Sequence, residues 1–312
     1  MAVDLGGTKV EAALVDTQGA VLTRTRRRAA TGPGAGPAEL RSVVQAVVAG
    51  ALEAQPPGYV LKAVGIGSAG PLDSVAETVS PLNLPVRDFP IVSAVRDVVG
   101  ETIPVRLALD GLCIALAESR FGAAAGVSSS VSMVVSTGIG GGIVIDGAPL
   151  VGEQGNAGHI GQLRVSAEES PECANVGTLE SVASGPASVA WAQQQGWTGR
   201  NGEELGRFAR SGDRLARAAI ERSAKAVGQA LAGVCALLDV DLIVIGGGFS
   251  HVSDDYVDMV EACTHRAAVL PAARTVKVVR AALGSDAPLV GASLLPALII
   301  SSRGHHAQRS TA

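Results

Sequence analysis

Short apolar runs separated by turn residues open the chain and predict three antiparallel strands. The first run begins at Val3 and breaks at Gly6-Gly7, "VEAALVD" follows with a polar "TQG" turn, and "AVLTRT" comes next. Short runs joined by tight turns are typical of a β-meander. Beyond a Gly/Pro loop, apolar positions over residues 40–52 recur at helical spacing and predict a helix packed on the sheet. "AVGIGSAG" then predicts a further buried strand.

The second half of the chain repeats this plan. "VSMVVSTG" and "GGGIVIDG" flank a glycine-rich turn, and "APLV" continues as a third strand. Apolar spacing predicts helices over residues 114–121 and 220–238, and the second leads into "DLIVIGGG", a buried strand that ends in three glycines. Two copies of one α/β unit are the simplest interpretation.

Length and composition extend this picture to two lobes and a core of small residues. The chain has 312 residues, and a single hydrophobic core stops growing near about 250–300 residues, so two lobes around a cleft are expected. Apolar residues make up 47% of the chain but aromatic residues only 3%. Since few aromatic side chains are available, the core must be built from Ala, Val, Leu and Ile.

Charge argues against a nucleic-acid partner, because a formal net charge of -4 provides no basic field for a phosphate backbone. One basic run, "RTRRR" at residues 24–28, would place Arg24, Arg26 and Arg28 on one face of a strand. Runs of charge usually face water. A solvated strand face is therefore favoured over a phosphate contact.

Cysteine usage and hydropathy predict a cytoplasmic protein. The four cysteines are widely spaced and form no C-x-x-C pair, which fits a reducing compartment. No charged stretch followed by an apolar run marks a secretion signal at the start. The longest apolar stretch, "PLVGASLLPALII" from Pro288, is shorter than the roughly 20 residues that span a bilayer. No membrane association is expected.

Gly6, Gly7 and Thr8 lie between two predicted strands, which excludes two common nucleotide-binding motifs. A P-loop and a dinucleotide-binding turn both run into a helix, whereas "TKVEAALV" continues as strand. What remains is a hairpin whose bare tip lets backbone N–H groups approach phosphate oxygens, with the Thr8 hydroxyl as a further donor. Asp4, on the preceding strand, is expected to hold Mg²⁺ through its water shell. A Gly-Gly hairpin by itself is more often only a tight turn.

Two further glycine-rich segments strengthen the interpretation. "STGIGGG" at residues 136–142 provides a second phosphate-sized tip at Thr137 and Gly138. "IGGGFS" at residues 245–250 provides bare backbone at Gly246 and Gly247, against which a base and ribose could lie. Along the chain, two segments suited to phosphate are followed by one suited to adenosine, and this order resembles that of the ATPase core shared by actin, Hsp70 chaperones and hexokinases.

Within that superfamily the chain resembles the ROK family of bacterial sugar kinases and repressors over nearly its whole length. "DLGGTK", "GIGSAGPLD", "STGIGGGIVIDG", "VIGGGFS" and "ALGSDAPLVGASLL" match the family's motifs in order. The resemblance implies a two-lobed actin-like ATPase fold, ribonuclease H-like, with duplicated mixed sheets. One lobe is expected over residues 1–107, completed by a C-terminal helix over 288–303, and the other over 108–287.

The same resemblance bears on partners. ROK repressors carry an N-terminal helix-turn-helix domain, whereas only three residues precede Asp4 here, so a DNA-binding role is not expected. The family's kinases are commonly dimers, which implies a homodimer. An actin-like filament protein is disfavoured, because the chain has no obvious long insertions for subunit contacts.

Resemblance also places the catalytic carboxylate at Asp110, in "LALDGLCIALAESRFG", where ROK kinases read E-N-D-A-N-A-A-A-L-A-E. A sugar hydroxyl that attacks the γ-phosphate of ATP must lose its proton, and a positioned carboxylate contributes roughly 10² to 10⁴ in rate. The implied activity is phosphorylation of the 6-hydroxyl of a glucose-like hexose by ATP with Mg²⁺. Asp110 is also expected to cap the helix that follows.

The implied sugar pocket departs from the family pattern. Asn83 in "PLNLP" and Glu180 in "GTLES" match family sugar contacts, but the E-x-G-H segment offers His159 and Gln162, and Leu109 replaces an Asn. Changes at hydroxyl contacts alter specificity more than rate. The hypothesis is therefore retained ATP chemistry with altered sugar choice.

The substrate is left open between several sugars. An Arg-over-Lys bias and abundant Ala and Gly suggest a GC-rich genome, as in actinomycetes, where the family includes kinases of amino sugars such as kanosamine in antibiotic biosynthesis. An ordinary glucokinase and a non-catalytic sugar sensor are the alternatives. Retention of Asp110 argues against the sensor.

Most ROK proteins also carry C-x-C-G-x-x-G-C-x-E, whose three thiolates join a histidine on a structural zinc. Here Pro171, Cys173 and Thr178 stand at the cysteine positions and Gln162 replaces the histidine. One thiol cannot supply the four ligands of a zinc site. No structural zinc is expected.

Overall fold

A computed structural model describes residues 1–32, 34–166 and 175–309 of the chain, with side chains described as far as residue 298. Contacts divide the chain into two compact units. Unit 1 comprises Met1–Ala117, Pro149–Ala157 and Ser285–Ala312, and unit 2 comprises Glu118–Ala148 and Gly158–Gly284. The lobe boundaries expected from the sequence stay a prediction.

Unit 1 is built on a five-stranded mixed sheet. Its strands are β1 (Ala2–Leu5), β2 (Lys9–Ala13), β3 (Arg27–Ala30), β4 (Val64–Ser68), β5 (Leu72–Asp73), β6 (Thr78–Val79) and β7 (Val105–Leu109). The sheet order is β3-β2-β1-β4-β7, and β5 pairs with β6 alone. β1 runs antiparallel to β2 and parallel to β4. This confirms the predicted meander between β1 and β2 and the buried strand at β4.

Three helices of the first part of the chain follow from its apolar spacing. They are α1 (Pro37–Glu53), α2 (Ile91–Val99) and α3 (Asp110–Phe121). α1 starts with a proline in its first turn, where a missing N–H costs nothing. It buries an apolar stripe against β2, β3 and α2. The predicted helices over residues 40–52 and 114–121 are confirmed.

The third strand of the meander is not "AVLTRT", as the sequence predicted, but β3 further along the chain. Residues Thr23–Thr25 form a 3-10 turn. The buried Thr25 hydroxyl accepts from the Leu14 N–H at 2.9 Å and donates to the Leu22 carbonyl at 2.7 Å. These side-chain bonds replace the strand ladder there. The strand therefore starts only at the end of the arginine run.

The predicted solvated face of arginines is consequently confirmed only in part, since Arg24 and Arg28 are exposed but the three side chains do not share one strand. Arg24 lies outside β3 and is exposed. Arg26 and Arg28 both form ion pairs with Glu11 of β2, whose side chain is buried. The charge run is thus anchored by a buried acid at two of its positions while two of these three side chains stay exposed.

Unit 2 contains a second sheet with the same plan. Its strands are β8 (Ser130–Val135), β9 (Ile139–Ile145), β10 (Ala148–Pro149), β11 (Leu242–Gly246) and β12 (Lys277–Arg280). Their order is β10-β9-β8-β11-β12. β8 is antiparallel to β9 and parallel to β11, as β1 is to β2 and β4. The predicted duplication is therefore confirmed at the level of topology.

The remaining helices pack closely because glycines let backbones approach. They are α4 (Leu179–Ala183), α5 (Gly185–Gln194), α6 (Gly202–Arg210), α7 (Arg214–Leu238), α8 (Tyr256–Ala267) and α9 (Ala287–Arg309). α7 contains the predicted helix over residues 220–238. A methyl group on Gly65 of β4 would come 1.7 Å from the Ala292 carbonyl oxygen, so α9 lies directly on the sheet of unit 1. None of the described helices combines the length and apolar character needed to cross a bilayer.

Candidate functional site

The first candidate element is the tip of the β1–β2 hairpin, residues Gly6, Gly7 and Thr8. The Gly6 N–H donates to the Lys9 carbonyl at 2.9 Å, which closes the turn. The Thr31 N–H, just past β3, donates to the Thr8 carbonyl at 3.1 Å and ties the tip to the next strand. The segment lies between two antiparallel strands, as predicted, and not between a strand and a helix.

Asn83 lies against this tip although it is far away in sequence. A methyl group on Gly7 would come 1.8 Å from Asn83 Nδ2, so the amide lies directly against bare backbone and would have to move if this residue had a side chain. Asn83 follows β6 and its side chain is exposed. The fold thus brings one predicted sugar contact onto one predicted phosphate turn.

Asp4 and Asp110 form the acidic part of the site in unit 1. Asp4 is 9% exposed on β1. Burial raises the pKa of Asp4 from 3.8 to about 7, and the charge of Asp110 acts in the same direction. Asp110 is the first residue of α3, where its Oδ1 accepts from the Gly111 N–H at 2.7 Å. The two carboxylates therefore lie within electrostatic reach of one another, next to the hairpin.

The donor chemistry at Asp4 fits a hard cation. Magnesium prefers oxygen ligands and is usually held by one or two carboxylates together with substrate phosphates and water. A cation would also offset the cost of burying the Asp4 carboxylate. In the part of the chain that the structure describes, no group of three or more His, Cys, Asp or Glu side chains could hold a metal alone. Phosphates and water would have to supply the other ligands.

The second tip, in unit 2, is built around Glu180. The Ser136 N–H donates to the Gly138 carbonyl at 2.9 Å, and the Ile139 N–H donates to Glu180 Oε2 at 2.8 Å. A methyl group on Gly138 would come 2.7 Å from that same oxygen. The Thr178 hydroxyl caps α4 by accepting from the Ser181 N–H, which fixes the helix that carries Glu180. Glu180 thus holds the turn on which a phosphate would bind.

A cavity of about 780 Å³ in unit 2 starts at this tip. Ser136 and Thr137 lie at one end, and α5, α6 and the segment after β11 form its walls. The lining residues that the sequence did not single out include Gly185, Pro186, Val189, Asn201, Gly206 and Arg210. No local pattern marks these positions, because they belong to α5, to α6 and to the residue before α6.

The third glycine-rich segment supports the cavity and lines it in part. Gly247 has a φ of +91°, and a methyl group there would come 2.5 Å from the Val135 carbonyl oxygen. Gly246 is the last residue of β11. Gly248 and Phe249 line the cavity, while Gly246 and Gly247 are not among its lining residues. Gly247 therefore packs the segment against the end of β8.

The E-x-G-H segment is preceded by a residue that sequence reasoning missed. With Gln162 at the histidine of the motif, His159 stands at the glutamate, and Asn156 comes three residues before it. Asn156 Oδ1 accepts from the Leu72 N–H at 2.9 Å, and its Nδ2 donates to the Leu72 carbonyl at 2.7 Å. The Asn156 amide is therefore bonded to the backbone of β5 through both of its polar atoms.

The other predicted sugar contacts differ in their surroundings. His159 Nε2 is buried without a hydrogen-bond partner among the described residues. Gln162 ends a short 3-10 turn and is exposed. Leu109, at the position of the family's Asn, is 3% exposed and belongs to the hydrophobic core of unit 1. Of these three residues, His159 is thus the one with a buried polar atom that lacks a hydrogen-bond partner among the described residues.

The predicted absence of zinc stays a prediction. Pro171 and Cys173 lie outside the described residues. Thr178 is described, and its hydroxyl donates to the Asn175 carbonyl at 2.8 Å besides capping α4.

Comparison with known proteins gives consistent matches over the whole fold. The ROK family model matches residues 1–297. N-acetylmannosamine kinases from Escherichia coli and Citrobacter koseri are 33% and 32% identical over 95% of this chain and 97% of theirs.

Solved structures match equally well. A ROK family glucokinase from Streptomyces griseus, in complex with glucose and AMPPNP, is 32% identical with a TM-score of 0.79, covering 94% of this chain and 98% of that one. A ROK hexokinase from Thermus thermophilus has the same identity and TM-score, covering 96% and 98%. These likenesses confirm the predicted α/β actin-like ATPase fold with duplicated mixed sheets.

Proposed function

We propose that this protein transfers the γ-phosphoryl group of ATP to the 6-hydroxyl of a glucose-like hexose or amino sugar. The premise is that the chain belongs to the ROK family and is an ATP-using sugar kinase. The observation that carries the proposal is the juxtaposition of Asp4 and Asp110 beside the hairpin tip of unit 1. Phosphoryl transfer requires such an arrangement, because a proton acceptor and a phosphate cradle must meet at one place.

Asp110 is the proposed general base. Its carboxylate would accept the proton that the sugar hydroxyl loses as it attacks the phosphorus atom. The bond from Gly111 N–H to Oδ1 fixes the side chain at the start of α3. The positive end of the helix dipole favours an ionised carboxylate there. Both features support the proposed role of Asp110 as the base.

The two hairpin tips are the proposed phosphate cradles. Gly6, Gly7 and Thr8 would offer backbone N–H groups and a hydroxyl to one part of the triphosphate, and Thr137 and Gly138 to another. Fixed donors of this kind stabilise charge that develops in the transition state. Gly246 and Gly247 support the segment on which the adenosine part would lie, and the unit 2 cavity would receive the base.

Asp4 is the residue proposed to hold Mg²⁺, through the water shell of the ion. When bound, the ion would neutralise negative charge on the phosphate oxygens. Asp4 would orient its water ligands with a carboxylate that is already desolvated, so little rearrangement would be needed on binding.

Sugar binding is assigned to Asn83, His159, Gln162 and Glu180 together with Asp110. Asn83 supports this because its amide lies against Gly7, beside the proposed transfer site. His159 supports it because its buried Nε2 lacks a partner among described residues, and a sugar hydroxyl would satisfy it. Leu109 cannot contribute a hydroxyl contact, which leaves the substrate between glucose, N-acetylmannosamine and an amino sugar such as kanosamine.

The test is an ATP-consumption screen of purified protein. Glucose, mannose, glucosamine, N-acetylglucosamine, N-acetylmannosamine, kanosamine and fructose are supplied separately, and phosphorus–proton NMR of the product locates the phosphate. Activity on one sugar with phosphate at the 6-position is the expected result. ATP consumption with none of the seven would contradict the proposal and favour a sugar sensor.

A homodimer is the remaining part of the proposal, and it rests on the family resemblance. Light scattering on the eluting protein measures the mass directly. A mass near 31.3 kDa, that of a single chain, would contradict it.

A further inference from the structure

A buried carboxylate surrounded by cations lies on the strand that follows the first hairpin tip. The Glu11 side chain is 3% exposed. Lys9 Nζ lies 3.0 Å from its Oε2, and Arg28 Nε and Nη2 lie 3.1 and 3.2 Å from Oε2 and Oε1. Arg26 Nε is 3.0 Å from Oε1, as an ion pair without hydrogen-bond geometry. Three cations thus converge on one acid.

Strand register places this cluster on the face of Asp4. Asp4 is opposite Glu11, and Glu11 is opposite Arg28, so the three lie straight across β1, β2 and β3. Directly opposed residues project to the same side of a sheet. Lys9 precedes Glu11 by two positions, which puts it on the same side and closer to the tip. The cations therefore border both Asp4 and the glycine turn.

An electrostatic effect agrees with this placement. Burial raises the pKa of Asp4, and Lys9 and Arg28 act against it from across the sheet. The two cations are thus close enough to influence charge at the proposed transfer site.

The cluster carries an excess of positive charge. Arg26 also pairs with Asp286, the residue before α9. Among the described residues Lys9 and Arg28 share Glu11 alone, and their side chains are 40% and 53% exposed. Two cations on one carboxylate leave one positive charge facing solvent. An anion that bound on this face would contact Lys9 and Arg28 side chains that Glu11 already orients.

We propose that Glu11 is a positioning residue that holds Lys9 and Arg28 beside the first hairpin tip, where the two cations bind the phosphate chain of the nucleotide. This inference rests on the proposed function and extends it from backbone donors to side-chain charges. It also assigns a role to the arginine run, whose last member reaches the site only because β3 begins where it does. If the arginines of residues 24–28 only faced water, a buried carboxylate such as Glu11 would not be needed to hold them.

The experiment compares cluster variants with an arginine of the same run. Arg28→Gln, Lys9→Gln and Glu11→Gln are measured beside Arg24→Gln, the matched control, since Arg24 is exposed and its side chain does not contact Glu11. Calorimetry measures AMPPNP binding, and steady-state kinetics gives KM for ATP and for sugar at several salt concentrations. Circular dichroism establishes that each variant is folded.

Losing a charge-assisted contact is expected to weaken AMPPNP binding about tenfold in Arg28→Gln and in Lys9→Gln. Their KM for ATP should depend less on salt than that of wild type, because fewer charges are left to screen. Glu11→Gln should weaken binding by a smaller factor, since it frees both cations without removing them. KM for sugar should stay unchanged, and Arg28→Lys should recover most of the loss.

Two other outcomes are distinguishable. If the cluster variants bind AMPPNP as Arg24→Gln does while wild type phosphorylates sugar, the cluster is structural only and the kinase proposal stands. If wild type binds no AMPPNP, both proposals fail. If Glu11→Gln does not fold, the Lys9→Gln and Arg28→Gln variants alone test the proposal.

Discussion

The two hairpin tips share one topology but differ in charge. In both sheets a short glycine turn joins two antiparallel strands, β1 to β2 and β8 to β9. The first strand of each pair also lies parallel to a strand from later in the chain, β4 or β11. At the second residue pair from the tip, unit 1 has Asp4 opposite Glu11, whereas unit 2 has Val134 opposite Gly140. The two copies thus share strand topology, while the chemistry beside each tip differs.

The physical consequence is a division of tasks. Around the first tip, acids and cations surround the place proposed for phosphoryl transfer. The second tip is held by the Glu180 carboxylate and by the Gly185 N–H, which donates to the Ser136 carbonyl at 2.9 Å, and it adjoins a cavity that Phe249 and several glycines line in part. An adenine base binds best in a largely apolar cleft with few polar groups. Charged residues, Arg200, Glu203 and Arg210, line the outer elements of that cavity, so the contrast in charge is between the two tips themselves and not between the two units.

The largest expected effect comes from removing the base of the first region. Asp110→Asn should lower kcat by about 10² or more, because the amide cannot accept the proton. AMPPNP binding should persist, since the glycine tips are unchanged. Initial rates and calorimetry measure the two quantities. Asp258→Asn, an exposed aspartate on α8, is the matched control. Turnover of Asp110→Asn above about a tenth of wild type would remove Asp110 from this role.

Neutralising Asp4 should reveal the cost of charge at the first tip. A carboxyl group with its folded pKa raised from 3.8 to about 7 stabilises the fold below about pH 4, and that stability is lost as pH rises to about 7. In EDTA without nucleotide, Asp4→Asn should therefore be more stable than wild type at pH 7.5, by on the order of a few kcal/mol. At pH 4 the difference should vanish. Urea unfolding at the two pH values measures it.

The same variant should lose phosphoryl transfer, because the amide cannot replace a carboxylate next to a cation. A difference in unfolding free energy that is the same at both pH values would show that burial does not raise the pKa of Asp4.

Stability of the second tip should depend on Gly247. In Gly247→Ala the new methyl group would meet the Val135 carbonyl at a backbone conformation that favours glycine. A loss of about 1–3 kcal/mol in unfolding free energy is expected. Gly248→Ala is the control, because its nearest neighbour is Ser136 Oγ at 3.7 Å. Equal melting temperatures for the two variants would contradict the packing described.

Smaller effects should separate the two tips by mechanism. Gly7→Ala displaces the exposed Asn83, whereas Gly138→Ala presses on the bonded Glu180 carboxylate. Each should lower kcat/KM about tenfold. Gly7→Ala should leave the melting temperature unchanged and Gly138→Ala should lower it. Gly140→Ala, which meets nothing within 4 Å, is the control for both. Identical behaviour of all three would mean that neither tip is close-packed.

Local patterns predicted both hairpins, the helices over residues 40–52 and 220–238, and the duplicated plan, because hydrophobic period and turn residues depend on neighbours in the chain. The third strand was misplaced because a buried Thr25 hydroxyl competes with the strand ladder, and no periodicity reports such a bond. Asn156 was missed for a related reason, since its partners on β5 lie 84 positions away.

The amino-acid sequence by itself determined the glycine tips, the acid that begins α3 and the family to which the chain belongs. Only the tertiary structure decided what each polar side chain contacts: Arg26 and Arg28 contact Glu11, Glu180 contacts the second tip, and Asn83 lies against Gly7. Turns and helix starts depend on a few adjacent residues, whereas the partner of a side chain depends on sheet register and packing, which bring distant residues together.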